Sequence, residues 1–243
     1  MRSQDETALG NDRPRKRMEF TDHRARRVAF VSSCILNQNT RAPANADQKA
    51  AATDVVTQLL ENDVGIEQFP CPECVLWGGL ARPKLYDQQP RALRAFGTWR
   101  FPIVKLFSRT WMFITGLRAR RLINASMRRM DDFVAEGYEV VGVVGVDASP
   151  TCGVSESLDL IEVVAQLENV DVTPEAMAKP DFDDMGRLTL ASTIKKPGYF
   201  MGGIARGLRK RNLNIPMAGV HPWKDAKAEA RRISEALGLT QGS

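Results

Sequence analysis

The stretch Gly142-Val143-Val144-Gly145-Val146-Asp147-Ala148-Ser149-Pro150-Thr151-Cys152-Gly153 decides how this chain folds. The run Val140 to Val146 contains only Val and Gly, stops at Asp147, and is followed by a turn rich in Ser, Pro, Cys and Gly. A short, uninterrupted, β-branched run reads as a strand buried on both faces, the signature of a parallel sheet. Cys152 then stands just past the carboxyl end of that strand, where open α/β sheets bind their ligands. Two further cysteines hold equivalent positions. Cys34 follows the apolar run Arg27-Val28-Ala29-Phe30-Val31, and Cys71 follows Gly65-Ile66-Glu67-Gln68-Phe69-Pro70. Three thiols at three strand ends can meet at one edge of one sheet.

Helical patterns lie between these strands. Val55, Val56, Leu59 and Leu60 form a stripe that predicts a helix over 46–61, and the spacing predicts others over 123–136, 200–211 and 224–237. Gly137 and Gly238 follow two of them as C-caps. Strands are expected over 27–33, 64–69, 138–146 and 215–220, the last ending at His221. Residues 158–167 do not decide between strand and helix. Residues 70–74 read as a turn because two prolines flank Cys71, 75–90 read as a loop, and 169–197 read as loop-rich with solvated acids at Asp181, Asp183 and Asp184. Strands alternating with helices imply right-handed crossovers and an open, mostly parallel α/β sheet flanked by helices on both faces.

The 243 residues suit one such domain, expected over 27–243, preceded by a basic leader over 1–26. The leader carries Arg13, Arg15, Lys16, Arg17, Arg24 and Arg26. Such a segment can touch nucleic acid or anionic lipid, but it reads first as solvated and disordered, and no nucleic-acid partner is expected. It has no apolar signal region and the chain has no run long enough to span a bilayer, so a cytoplasmic protein is expected. Four cysteines in that compartment point to metal ligation, redox chemistry or plain burial before disulfides. Residues 91–122 interleave Trp99, Phe101, Phe107, Trp111 and Phe113 with arginines and a lysine. That pattern fits an amphipathic segment at a membrane surface, or an inserted helical hairpin packed on the domain or on a second subunit. The oligomeric state is left open.

Thiolates select zinc, copper(I) or iron–sulfur clusters. The chain has one CxxC, Cys71-Pro72-Glu73-Cys74, and no second pair, which disfavours a zinc ribbon. Cys34, Cys71 and Cys152 on one [4Fe–4S] cluster would leave its fourth iron open to a ligand. Adding Cys74 would close that corner. The N–H of Gly153 and those of following helix starts are candidates to stabilise the anionic cluster.

Three segments, Cys34-Ile35-Leu36-Asn37-Gln38-Asn39-Thr40, Pro70-Cys71-Pro72-Glu73 and Ser149-Pro150-Thr151-Cys152-Gly153, resemble the thiouracil desulfidase family, and in particular a longer branch related to it. The resemblance covers 28–80 and 136–154 well and 198–220 loosely. It implies a [4Fe–4S] cofactor on Cys34, Cys71 and Cys152. It implies a small thiolated substrate such as a thiouracil-like base, whose sulfur passes to the free iron and is replaced by water oxygen. It assigns acid/base and positioning work to Glu73 and Ser149. Thr151 stands where the family commonly has Ser, and a hydroxyl is kept. Asn37, Asn39 and His221 are the remaining candidates for substrate contact; the Asn residues equally suit loop stabilisation, and His221 equally suits a structural role. Arg82 and Lys84 are candidates to hold an anionic substrate. The alternatives are a non-enzymatic protein binding metal or a cluster through four cysteines, and a membrane-surface or partner-binding module using 91–122.

Overall fold

The apolar runs form strands of one parallel sheet. The computed structural model describes residues 22–173 and 181–239; most of the expected leader, residues 1–21, lies outside them. Strands β1 (Arg27–Val31), β2 (Gly65–Gln68), β3 (Glu139–Val146) and β6 (Met217–Val220) pair in the order β2-β1-β3-β6, every pair parallel. A two-residue antiparallel pair, β4 (Ser157–Leu158) with β5 (Thr193–Ile194), stands apart from it. The α/β class and the parallel sheet read from the sequence are therefore the observed architecture.

Burial on both faces explains the composition of β1 and β3. Ala29, Val31, Val141, Val144 and Val146 face α2 (Thr53–Glu61) and α9 (Ala226–Ala236). Val28, Phe30, Val140 and Val143 face α6 (Phe101–Ala135) and α8 (Tyr199–Lys210). The register slips by one residue where Val28 pairs with Val140 but Ala29 pairs with Gly142, and Val141 is the extra residue. Such a bulge reverses the alternation, which puts neighbours 141 and 142 on one side. Gly203 and Gly207, four apart on α8, leave room for Ile123 and Met127 of α6 to pack against its backbone.

Several expected boundaries move. The helix over 46–61 starts only at Thr53, where the Gln48 side-chain oxygen accepts the Thr53 N–H at 3.0 Å. The turn at 70–74 is the start of α3 (Pro72–Trp77): Pro72 takes the first helical position, where its missing N–H costs nothing. The loop over 75–90 contains α4 (Pro83–Tyr86) and runs into α5 (Gln89–Ala95). The acidic patch opens α7 (Phe182–Ala191), with Asp181 as N-cap accepting from the Asp184 N–H at 2.8 Å. Residues 164–170 form 3₁₀ turns.

The largest correction concerns 91–122. The expected insertion opens in α5, turns over 96–100, and from Phe101 runs without a break into the expected helix at 123 as the 35-residue α6. At 1.5 Å per residue it is roughly 52 Å long. Its carboxyl half is anchored in the core through Met127 and Met130. Its amino half leaves Ile103, Leu106, Phe107 and Phe113 more than half exposed. No helix among the described residues is long and apolar enough to cross a membrane.

Candidate active site

The strand order reverses between β1 and β3, because the chain leaves β1 for β2 on one side and reaches β3 on the other. A crevice opens at such a switch point, and the loops after the adjoining strands line it. Cys34 lies in the helical turn α1 (Ser33–Leu36) after β1, Cys71 follows β2 as the N-cap residue of α3, and Cys152 lies in the turn after β3. All three line one cavity of about 770 Å³, together with Glu73, Ser149 and Thr151.

The Cys152 turn is held by the residue that ends its strand. Asp147 is buried, and its Oδ1 accepts the N–H groups of Val154 at 2.8 Å and Ser155 at 3.0 Å. Its Oδ2 accepts the Ser155 hydroxyl at 2.7 Å. The turn folds back on its strand, with the Val146 N–H donating to the Cys152 carbonyl at 2.9 Å. A Cβ at Gly145 would collide with that carbonyl, so the strand needs glycine there. Ser149 Oγ accepts the N–H groups of Cys152 at 3.0 Å and Thr151 at 3.3 Å. Ser149 thus builds the turn, and it also lines the cavity. The Gly153 N–H donates to the Ser149 carbonyl, and the Phe200 and Met201 N–H groups at the start of α8 donate to the Thr151 carbonyl. These donors, expected to face an anionic cluster, are engaged by the turn itself.

Glu73 is the hub of the polar corner. Its Oε2 pairs with Arg82 Nε at 2.9 Å. Its Oε1 accepts from Thr151 Oγ1 at 3.2 Å and lies 3.5 Å from Ser149 Oγ. Thr151 Oγ1 is also 3.3 Å from Cys152 Sγ, so one hydroxyl links carboxylate and thiol. Arg82 holds more than Glu73: its guanidinium donates to the carbonyls of Thr40 at 2.6 Å, Arg41 at 3.2 Å and Leu80 at 2.9 Å. Its side chain is 1% exposed. Arg82 is therefore an internal strut, not a surface anion site, and it ties the Cys34–Thr40 segment to Glu73.

Burial is the first cause that pushes the thiols up. Cys34 is raised to about 11, with Arg41 partly opposing and the charges of Cys71 and Glu73 adding. Cys152 is raised further by burial and by the charges of Cys34 and Cys71, against hydrogen bonds from Ser32 and Thr151. The charge of Cys71 thus bears on Cys34, and those of Cys34 and Cys71 on Cys152. Cys74 differs in that it does not line the cavity; its Sγ donates to the Thr40 carbonyl at 3.9 Å, and burial, followed by the charge of Cys71 and a side-chain hydrogen bond with it, raises Cys74 to about 11.

Among the described residues, no group of three or more His, Cys, Asp or Glu side chains is arranged to hold a metal ion. A cubane is a wider body than one ion, with a thiolate on each of several iron corners. The donor set is of the kind a cubane takes: three soft sulfurs from three loops line the cavity, and the fourth thiol, beside Cys71, does not.

Three other sequence candidates, Asn37, Asn39 and His221, fall outside the cavity lining. Asn37 Oδ1 accepts the Asn39 backbone N–H at 3.1 Å and its side-chain amide at 2.9 Å, closing a local turn. His221 is buried beside Glu156, its Nε2 3.2 Å from Oε1, while its N–H donates to Glu229 Oε2 at 2.8 Å. Lys84 lines the cavity. Gln38, which with Asn37 and Asn39 suits either loop stabilisation or substrate contact, donates its side-chain amide to the Cys34 carbonyl at 3.1 Å; Tyr199 is not singled out by the sequence. Burial, and then the charges of Glu73, Cys152 and Cys71, push the Tyr199 phenol up. Tyr199 stands at the start of α8, its N–H donating to the Pro150 carbonyl of the Cys152 turn, a position that only the fold reveals.

No family model matches the chain, and no solved structure matches it. It is similar to an uncharacterized protein of Methanocaldococcus jannaschii, 22% identical over 159 residues, which span 65% of this chain and 88% of that protein.

Proposed function

We propose that this chain is an iron–sulfur-dependent desulfidase acting on a thiocarbonyl compound. The observation that carries the reading is the cavity at the switch point, lined by Cys34, Cys71 and Cys152 and by Glu73, but not by Cys74. The three cavity thiols would hold a [4Fe–4S] cluster. Bound by three thiolates, such a cluster supplies a Lewis-acidic iron able to accept sulfur. The net exchange is R₂C=S + H₂O → R₂C=O + H₂S, so both protons of the water move to sulfur.

Glu73 Oε1 is the atom suited to take the first proton. Arg82 fixes the other oxygen and holds the carboxylate in place, leaving Oε1 toward the hydroxyls of Ser149 and Thr151. Those hydroxyls orient water or the substrate carbon's ring neighbours against Oε1. The carboxyl then returns the proton to the departing sulfur. Reduced thiols require a reducing compartment, which agrees with a cytoplasmic location.

Anaerobic purification with iron and acid-labile sulfide analysis tests the cofactor. Sulfide release from 2-thiouracil by the wild type, lost in Glu73→Ala with iron content kept, is the expected result. A colourless, iron-free protein after reconstitution refutes the reading. If all four thiols were ligands, Cys74→Ala would lose the cluster; with three, the variant is expected to keep it.

A further inference from the structure

The cavity is far larger than a pyrimidine base needs. About 770 Å³ is room for roughly two dozen waters at ~30 Å³ each, and it falls within the ~300–1,000 Å³ of sites that hold drug-sized ligands. The strand ends supply its thiols, carboxylate and hydroxyls. The rest of the wall is different in kind. Ile103, Phe107, Trp111 and Met112 of α6 face it, with Leu158 of β4 and Ile161 from the segment after it. Two contacts fix this apolar wall to the site. Trp111 packs on the buried Trp77 of α3 at 5.8 Å between ring centroids, and Lys105 pairs with Glu162 at 2.7 Å. The site helix carrying Glu73 and the amino half of α6 are thus joined into one enclosure. Water filling so much apolar surface would be displaced favourably by hydrocarbon.

We infer that the cavity takes an elongated amphipathic ligand: a compact polar head at the cysteines and an extended apolar body along α6. The identity of the head as a thiocarbonyl rests on the desulfidase reading; the apolar body does not. A bare thiouracil-like base would occupy only the strand-end corner. α6 is then a specificity element, and this gives a role to the aromatic side chains of 91–122. Phe107 and Ile103 line the cavity while remaining 62% and 59% exposed, so they form its rim.

The test uses anaerobically purified full-length protein and a series of 4-alkylbenzamides, the unreactive oxygen counterparts of 4-alkylthiobenzamides. Three of the chain's four tryptophans, Trp77, Trp111 and Trp223, line the cavity, so quenching of intrinsic fluorescence reports binding. Affinity is expected to rise about fourfold per added methylene, the ~0.8 kcal/mol of a buried CH₂, until the cavity is filled. Phe107→Ser and Ile103→Ser, both at exposed positions that should fold, are expected to weaken the long members at least fivefold and the shortest hardly at all. Phe113→Ser is the control: it is as exposed on α6 but does not line the cavity, and should change nothing. Affinity that does not depend on chain length, or an equal loss in Phe113→Ser, overturns the inference. The outcome is separable from the reaction. Sulfide release from 2-thiouracil with flat benzamide affinities leaves the desulfidase and removes the apolar body. Length-dependent binding with an iron-free protein keeps the apolar site and removes the desulfidase.

Discussion

Arg82→Met isolates the buried strut on which the polar corner depends. Methionine keeps most of the apolar stem and fills much of the space, so little of the effect is a cavity. What is lost is the charge against Glu73 at 2.9 Å and the donors to the carbonyls of Thr40, Arg41 and Leu80. Removing one partner of a buried ion pair costs about 3–5 kcal/mol, because the other charge stays buried alone. Side-chain exposures of 1% for Arg82 and 12% for Glu73 put this pair in that class and not among surface pairs worth under about 1 kcal/mol. The expected result in urea denaturation at pH 7 is a loss of about 3–5 kcal/mol. Pairing it with Glu73→Gln removes the stranded charge and should restore about half of that loss. A single-variant loss below about 1 kcal/mol, or a double variant no more stable than Arg82→Met, would refute the strut.

Cys34→Ala, Cys71→Ala and Cys152→Ala should each abolish iron retention after anaerobic reconstitution, while Cys74→Ala keeps about the wild-type iron-to-protein ratio by colorimetric assay. Asp147→Ala removes an ionised acceptor of several hydrogen bonds within the Cys152 turn, and should cost about 2–3 kcal/mol in denaturant unfolding and lower cluster retention. Glu229 sets an acid dependence. Burial works against its ionised form, but hydrogen bonds from Arg232 and the His221 N–H, with the charges of Arg232 and Lys224, hold its carboxyl below the usual range. A lowered folded value means its contribution is complete above the unfolded value of about 4.3 and fades as pH falls through the folded one. Glu229→Gln should therefore be less stable than the wild type at pH 7, with the gap closing toward pH 3; a gap independent of pH contradicts this.

The sheet was legible because its signal is local. β-Branched runs such as Val140–Val146 can only be strands buried on both faces, and thiols just beyond them fall at one edge once the strands are parallel. Pro72 misled because proline was taken as a breaker when it stood at a helix start. The Asp181–Asp184 cap is readable from side-chain spacing, but a solvated acidic loop has the same composition. α6 was not legible as one rod: its apolar residues do not keep one face, since the amino half covers a cavity and the carboxyl half a sheet. Arg82 was beyond reach for a different reason. Its partners, Thr40, Arg41 and Glu73, are brought to it only by the completed fold, and no spacing along the chain announces them. Asp147 was seen as the end of a strand, while its work is done on the backbone of residues seven and eight positions later.

The length of α6 makes it a lever. It is clamped at one end by α8, where Gly203 and Gly207 admit Ile123 and Met127, and is held along the other by Trp111 on Trp77 and Lys105 on Glu162. From Ala119 to Phe101 the arm is roughly 27 Å at 1.5 Å per residue. A tilt of about 5° at the clamp sweeps the tip through about 2 Å, by the same helix rise. A substitution at Gly203 or Gly207 that forced such a tilt would have to shift those two contacts as well, and would change the bore of the cavity far from the thiols themselves.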